Sequence, residues 1–131
     1  MASASAHLNT HRQSPRKVRV VADMVRGKSV EEALNILTFV PKRAGLPLKK
    51  LLASAVANAE NLSLGNNLVV KDISVDAGKI LYRSIPMAHG RAFPMRKRTS
   101  HVSITVSEAA PKAAKPKRAA KKAKAAKVTT A

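Results

Sequence analysis

Residues 77–101 constrain the fold of this chain most, because this stretch contains six Lys or Arg and no acidic residue. On either side, residues 69–76 and 102–106 alternate between apolar and polar side chains, as half-buried strands do. Near the middle, His89 and Gly90 lie between Pro86 and Pro94. Glycine accepts a positive φ and marks a turn, whereas proline is excluded from central strands. The pattern therefore predicts a long β-hairpin, with its base in a small sheet and its arms projecting on the order of 30 Å.

A projecting ribbon of this charge needs a partner, because a bare two-stranded ribbon is marginal in water and its cations repel one another. The whole chain carries 25 Lys and Arg against 7 Asp and Glu, a net charge of +18. Such a balance implies a polyanion, most often nucleic acid, with an anionic membrane surface as the alternative. The acid-free ribbon thus favours nucleic-acid binding over a solvated loop.

Three helices are predicted ahead of the strand at residues 69–76. The first has Ser14 as N-cap, Pro15 at its first position and Gly27 just past its end. The second opens at a capping box formed by Ser29 and Glu32. The third contains Pro47, so it either starts there or begins near Lys42 and kinks. The three apolar stripes are Val18, Val21, Ala22 and Val25; Val30, Ala33, Leu34 and Leu37; and Leu48, Leu51, Leu52, Ala55, Val56 and Ala59.

The strands complete an α+β fold. In the first predicted strand Val69, Ile73 and Val75 face inward, Val70 faces outward, and Lys71 interrupts the inner side. Residues 3–11 are a candidate third strand. The expected fold is therefore three helices packed on a small antiparallel sheet, with a projecting hairpin at about 77–101, in one domain spanning 1–108. Residues 109–131 hold eight basic residues and no acid, which predicts a disordered basic tail.

Two groups of residues are candidate RNA contacts: the first lies on and beside the first helix, and the second lies in the ribbon. The alternative for the first group is a solvated charged helix face, but basic residues greatly outnumber acidic ones there, which favours phosphate contact. In the second group, hydroxyls can bond phosphate or ribose without adding charge. The groups are Arg12, Arg16, Lys17, Arg19, Arg26 and Lys28, and, in the ribbon, Lys79, Arg83, Arg91, Arg96, Lys97, Arg98, Thr99, Ser100 and His101. His101 is also interpreted as a hydrogen-bonding residue at the strand entrance.

Several classes of function are disfavoured. With no cysteine, disulfides and thiolate metal sites are excluded, and the four histidines are too scattered to predict a metal site. The carboxylates form no catalytic constellation and no phosphate-binding glycine loop is present, so neither an enzyme nor a cofactor is expected. The amino-terminal stretch lacks an apolar h-region and no segment could span a membrane, so no signal peptide and no membrane partner are expected. Only three aromatic residues occur, which argues against base-stacking modules.

Four stretches occur together in a specific order: "SPRKVRVVADMVRGKSVEEALNIL", "LKKLLASAVANAEN", "HGRA" and "KRTSHVSITV". Together they resemble the universal large-subunit ribosomal protein L twenty-two family, from about residue 5 to 107. The first rival interpretation is a DNA-architectural protein with basic β-arms, which would dimerise through an apolar face. The second is a nuclease or RNA-modifying enzyme, which would need clustered acids or a cofactor loop.

The resemblance implies a structural constituent of the large ribosomal subunit, located in the ribosome of the cytoplasm. It implies binding to large-subunit ribosomal RNA, stabilisation of that RNA during assembly, and contact with neighbouring ribosomal proteins, without homo-oligomers. It also implies that the hairpin lines the nascent-peptide exit tunnel, with Met87, Ala88, His89, Gly90, Arg91 and Ala92 forming the tip that faces the nascent peptide. Two positions depart from the family, which usually has a basic residue at the place of Met87 and commonly a basic or amide residue at the place of Tyr82, so the tip is more apolar than usual.

Overall fold

The last strand, β3 (Ala92–Glu108), is both the central strand of the sheet and one arm of the ribbon. A computed structural model describes residues 2–65 and 67–108. In it β3 pairs antiparallel with β1 (Ser3–His11) on one side and with β2 (Leu68–Pro86) on the other. This confirms the candidate third strand. The predicted tail, 109–131, lies outside the described residues.

Three helices cover one face of this sheet: α1 (Pro15–Val25), α2 (Val30–Phe39) and α3 (Gly45–Asn61). The cross-strand pairs Ile73–Ile104 and Val75–Val102 are buried beneath them, because alternate residues of each strand point to the same side. The predicted α+β architecture is therefore confirmed. Among the predicted stripe residues, the helices bury Val18, Val21, Ala22, Val25, Val30, Ala33, Leu37, Leu48, Leu51, Leu52, Ala55 and Ala59, while Leu34 and Val56 are partly buried.

The helix ends follow the local chemistry that the sequence indicates. Ser29 Oγ accepts a hydrogen bond from Glu32 N at 3.3 Å, and Gly27, just after α1, has φ of +73°. For α3 neither alternative for Pro47 holds, because the helix begins at Gly45. Pro47 then occupies the first turn, where backbone N–H groups have no partner within the helix, so it fits without a kink.

A β-bulge at Lys71 corrects the predicted faces of the first part of β2. Val70 pairs with Val106, and the next pair is Asp72 with Thr105, so Lys71 is an extra residue. The bulge reverses the alternation, and Val70 is therefore fully buried while Val69 is only partly buried. The sequence pattern had assigned these two valines to the opposite faces.

The projecting ribbon begins where β1 ends. The last β1 residue in the ladder, His11, pairs with Ser100, and beyond that point β3 pairs only with β2, as far as Pro86 and Ala92. At the turn, Met87 N donates to Arg91 O at 2.8 Å, while His89 and Gly90 adopt φ of +59° and +67°. The predicted hairpin and its turn are thus confirmed.

The open edge of β2 is covered by α1 and the turn after it. Arg19 donates from Nε and Nη2 to Val75 O at 3.0 and 2.7 Å, and Arg26 donates from Nη2 to Ile73 O at 2.7 Å. Gly27 N donates to Val70 O at 3.0 Å, and Val70 N donates to Lys28 O at the same distance. These bonds satisfy edge groups that would otherwise be free to pair with another chain.

We expect Arg19→Met to lower the free energy of unfolding by about 1–2 kcal/mol, because methionine keeps an apolar stem but removes both donors to Val75 O. Denaturant unfolding followed by circular dichroism measures this loss. Arg16→Met is the matched control, since Arg16 is exposed on the same helix and makes no side-chain hydrogen bond among the described residues. Equal stabilities of the two variants would contradict the role of Arg19 as an edge clamp.

The base of the ribbon contains a second register shift, between Ala77 and Ile80. Thr99 Oγ1 donates to Lys79 O at 2.7 Å across it. A Cβ atom on Gly78 would lie 2.5 Å from Thr99 Oγ1 and 3.0 Å from His101 Nε2. Only glycine therefore allows the two strands to approach this closely.

Gly78→Ala is accordingly expected to destabilise the protein by about 1–3 kcal/mol through overpacking at the base of the ribbon. The same unfolding assay applies, and Ser84→Ala, at an exposed position further along β2, serves as the control with a change below about 0.5 kcal/mol. A Gly78→Ala variant as stable as the control would show that the close approach does not constrain the base.

Candidate RNA-binding surface

Cations from three separate segments surround one cleft of about 600 Å³, here called the basic cleft. One wall comes from the segment between β1 and α1 and the first turn of α1, the second from the α2–α3 loop, and the third from β3. No acidic residue lines it. Its lining residues are Arg12, Gln13, Ser14, Lys17, Arg43, Arg96, Lys97 and Arg98.

Strand pairing explains why these residues meet. His11 pairs with Ser100, so Arg12, the next residue along the chain, emerges where β3 leaves the body. Helix α1 starts three residues later, at Pro15, which brings Lys17 to the same place. The cluster 96–98 is the first part of the β3 arm beyond the body. The β1–β3 register therefore brings Arg12 and Lys17 to the cations of β3.

The electrostatics of the basic cleft favour a polyanion. All six of its cations are exposed, and the ion pairs found within residues 2–65 and 67–108 involve only Arg26, with Asp23 at 2.9 Å and Asp72 at 3.8 Å. The N-terminal end of α1 adds a partial positive charge, and the N-cap Ser14 uses its side chain for no cap hydrogen bond. Phosphate groups would relieve the repulsion among these charges.

A second groove, of about 460 Å³, continues from the basic cleft along the ribbon. The two share Arg12 and Lys97, and the groove adds Arg83 and Ser84 together with the apolar side chains of Ile85 and Met95. A nucleic-acid strand held in the cleft could thus follow the ribbon without leaving a basic surface.

Other predicted RNA contacts lie apart from the cleft. Arg19 and Arg26 hydrogen-bond to the edge of β2 and are here called its edge clamps. Both are nevertheless exposed, and 49% of the Arg26 side-chain surface is accessible to solvent. Arg19 therefore still contributes positive charge at the surface, whereas the charge of Arg26 is offset by its ion pair with Asp23. The remaining predicted cations, Arg16, Lys28, Lys79 and Arg91, are exposed elsewhere on the surface.

Thr99 and Ser100 are not available as surface contacts, which corrects that part of the prediction. They are only 1% and 0% exposed. Thr99 already donates to Lys79 O, and Ser100 shares the inward-facing parity of Val102. His101 is partly buried, and its Nδ1 accepts a hydrogen bond from Thr10 N at 3.2 Å, as the interpretation of it as a strand-entrance residue requires. All three belong to the base of the ribbon.

Arg43 is a cleft residue that the sequence analysis missed. The signal was present, because residues 33–59 contain no acid and four cations: Lys42, Arg43, Lys49 and Lys50. None of these four cations was among the predicted RNA contacts. Lys49 is fixed by its Nζ, which donates to Thr38 Oγ1 at 3.0 Å.

The hairpin tip is fully accessible and partly apolar. All residues from Met87 to Ala92 are exposed, and Phe93, which pairs with Ile85, is exposed as well. The tip therefore offers methionine and phenylalanine side chains beside a single cation, Arg91, in agreement with the apolar substitutions noted in the sequence.

Within 2–65 and 67–108, no three His, Cys, Asp or Glu side chains come together in a way that could hold a metal ion. The helices of this part of the chain are too short or too polar for any to cross a membrane.

The chain is similar in sequence to known ribosomal proteins. The family model "Ribosomal protein L22p/L17e" matches residues 6–107. A large ribosomal subunit protein uL22 from Myxococcus xanthus is 49% identical over 110 residues, covering 81% of this chain and 96% of the relative. The uL22 proteins of Trichlorobacter lovleyi and Geobacter sulfurreducens are each 50% identical over 107 residues, covering 80% of this chain and 95% and 96% of the relatives. The chain therefore belongs to the ribosomal protein L22p/L17e family.

Proposed function

We propose that this chain is a structural, non-enzymatic constituent of the large ribosomal subunit that binds large-subunit ribosomal RNA and stabilises its fold during assembly. The observation that carries the proposal is the basic cleft, where six cations without ion pairs among the described residues meet at the root of an acid-free ribbon. Its relatives named as large ribosomal subunit proteins support the choice of RNA over DNA or a membrane.

The energetics of binding follow from this arrangement. In the free protein the clustered cations repel one another, and the free RNA holds a counterion atmosphere around its phosphates. On binding, those counterions are released, so affinity falls steeply as salt is added. Folding of the body does not depend on this term, because its core consists of aliphatic side chains beneath the helices.

The ribbon extends this binding mode away from the body. In the proposal its arms run through ribosomal RNA, beside neighbouring large-subunit proteins, and its tip lines the nascent-peptide exit tunnel of a cytoplasmic ribosome. Two features support this placement: the arms pair only with each other beyond Ser100, and the tip is exposed and contains no acid. An isolated ribbon of this kind is marginal in water and gains from being surrounded.

Neutralising the basic cleft should reduce the salt dependence of RNA binding. We expect Arg43→Gln and Lys97→Gln each to lower the slope of log affinity against log salt by about 0.7–0.9, the contribution of one phosphate contact. Filter binding of the full chain to large-subunit ribosomal RNA, over a range of KCl concentrations, measures the slope.

Arg26→Gln is the matched control for these variants, because Arg26 is paired with Asp23 and lies away from the cleft. We expect a smaller change of slope for it. A salt-independent affinity of the unaltered chain would end the RNA-binding proposal. Equal slopes in the Arg43, Lys97 and Arg26 variants would end the assignment of the basic cleft.

Lengthening the tip should separate function from folding. Inserting two residues beside Gly90 is expected to leave the melting temperature of the free protein nearly unchanged, because the tip has no partner in the body. The same insertion in ribosomes should alter stalling by arrest-prone nascent chains or sensitivity to tunnel-binding antibiotics. Melting curves, occupancy in purified large subunits and a stalling assay measure these effects.

The control for the melting experiment is Leu52→Ala, which removes a fully buried side chain from α3 and should cost about 2–5 kcal/mol. A tip insertion as destabilising as this core change would contradict the independence of the ribbon. Normal incorporation with unchanged stalling and drug response would contradict the tunnel role.

A further inference from the structure

Phe39 is the most exposed large hydrophobic residue in the described part of the protein, with 84% of its surface accessible. It is the last residue of α2 and one of three aromatic residues in the chain. An aromatic ring that gains nothing from the core of its own protein is available to an external partner.

Helix geometry explains why the ring points outward. Ala33 and Leu37 lie on the buried stripe of α2, and a residue two positions after Leu37 falls on the opposite side of the helix. The last turn is also fixed: Thr38 Oγ1 donates to Leu34 O at 2.7 Å, and Val40 N donates to Ile36 O at 3.1 Å. The ring is thus carried on an ordered helix end, which lowers the entropy that binding would cost.

The surroundings of Phe39 are basic. Lys42 and Arg43 follow in the loop to α3, and Lys49 bonds to the neighbouring Thr38. The loop is tight, since Gly45 N donates to Lys42 O at 2.9 Å. Phe39 and Arg43 are four residues apart, so their Cα atoms are separated by at most about 14 Å. Arg43 lines the basic cleft, and Phe39, which is not one of the lining residues, is held within this chain distance of it.

We propose that Phe39 is a stacking platform for one unpaired base of the ribosomal RNA, whose backbone is held by Arg43 in the basic cleft. A nucleotide combines the two properties that this surface selects, a negative charge for the cations and a flat apolar face for the ring. A neighbouring basic protein would meet repulsion here instead. The inference rests on the proposed RNA binding and adds a specific contact to it. Scarce aromatics exclude a multi-ring stacking module, but one ring suffices for one base.

Fluorescence provides a direct test, because the chain contains no tryptophan. In Phe39→Trp the indole becomes a unique reporter at the proposed site. Adding large-subunit ribosomal RNA to the full-length variant should quench its emission through base stacking. Leu62→Trp is the matched control: Leu62 is also exposed, at 60%, but follows the far end of α3 and should not be quenched.

Affinity measurements separate stacking from charge. Phe39→Ala and Phe39→Leu should both weaken RNA binding by about 5- to 150-fold at every salt concentration, with an unchanged salt slope. Phe39→Tyr should bind like the original protein, because its ring also stacks. Arg43→Gln should instead change the slope, since it removes a phosphate contact.

Three results would overturn the inference. If Phe39→Leu bound RNA with full affinity and Phe39→Trp showed no quenching, Phe39 would be making a general apolar contact and not stacking on a base. Normal RNA affinity but lost subunit occupancy in Phe39→Ala would assign a protein partner. A lower melting temperature in Phe39→Ala would assign the ring to folding. Salt-independent binding of the unaltered chain would contradict the proposed RNA function itself, which distinguishes that failure from a failure of Phe39 alone.

Discussion

The continuity of β3 is the constraint on which the rest of the structure depends. Its body half is hydrogen-bonded on both sides and buries Val102, Ile104 and Val106, so its register is fixed by the core. Its other half is an arm of the ribbon and pairs with β2 alone. Because one strand forms both parts, packing in the body determines where the ribbon starts and where Arg96, Lys97 and Arg98 emerge. The position of the charged surface is therefore set by the hydrophobic core.

Arginine serves two physical roles in this molecule. Arg19 and Arg26 donate to β2 carbonyls and close a sheet edge, whereas Arg12 and Arg43 line an acid-free cleft. The difference lies in the available acceptors, since α1 lies along the open edge of β2 while the cleft lies between separate segments. A guanidinium keeps its charge when it donates to a carbonyl, so Arg19 still adds to the positive surface that favours a polyanion.

Local signals in the sequence predicted the starts of α1 and α2, the hairpin turn and the three strands, because proline, glycine, capping residues and alternation act over a few positions. The start of α3 at Gly45 was not predicted. The predicted faces of Val69 and Val70 were wrong because the bulge at Lys71 depends on pairing with β3. The local sequence pattern contains no information about that pairing. Ser100, by contrast, shares the parity of Val102, so its burial was predictable. Thr99 was not, because its burial depends on the missing side chain of Gly78 on the partner strand. The meeting of Arg12, Arg43 and Lys97 in one cleft was likewise not predictable from the sequence, because it depends on how separate segments pack in three dimensions.

The body and the ribbon differ in what stabilises them, and this difference bears on assembly. The body has a core of aliphatic side chains and the open edge of β2 is covered, while on the β1 side Asn58 Nδ2 donates to Ser5 O. The ribbon has only its own strand pairing, exposed apolar side chains such as Phe93, and cations that repel one another. The body can bind RNA as a rigid unit, so binding costs it little conformational entropy. The ribbon depends on its partner, which would neutralise its cations and pack against its exposed side chains. Binding through the basic cleft would therefore position the ribbon first, and RNA closing around the arms would then stabilise it.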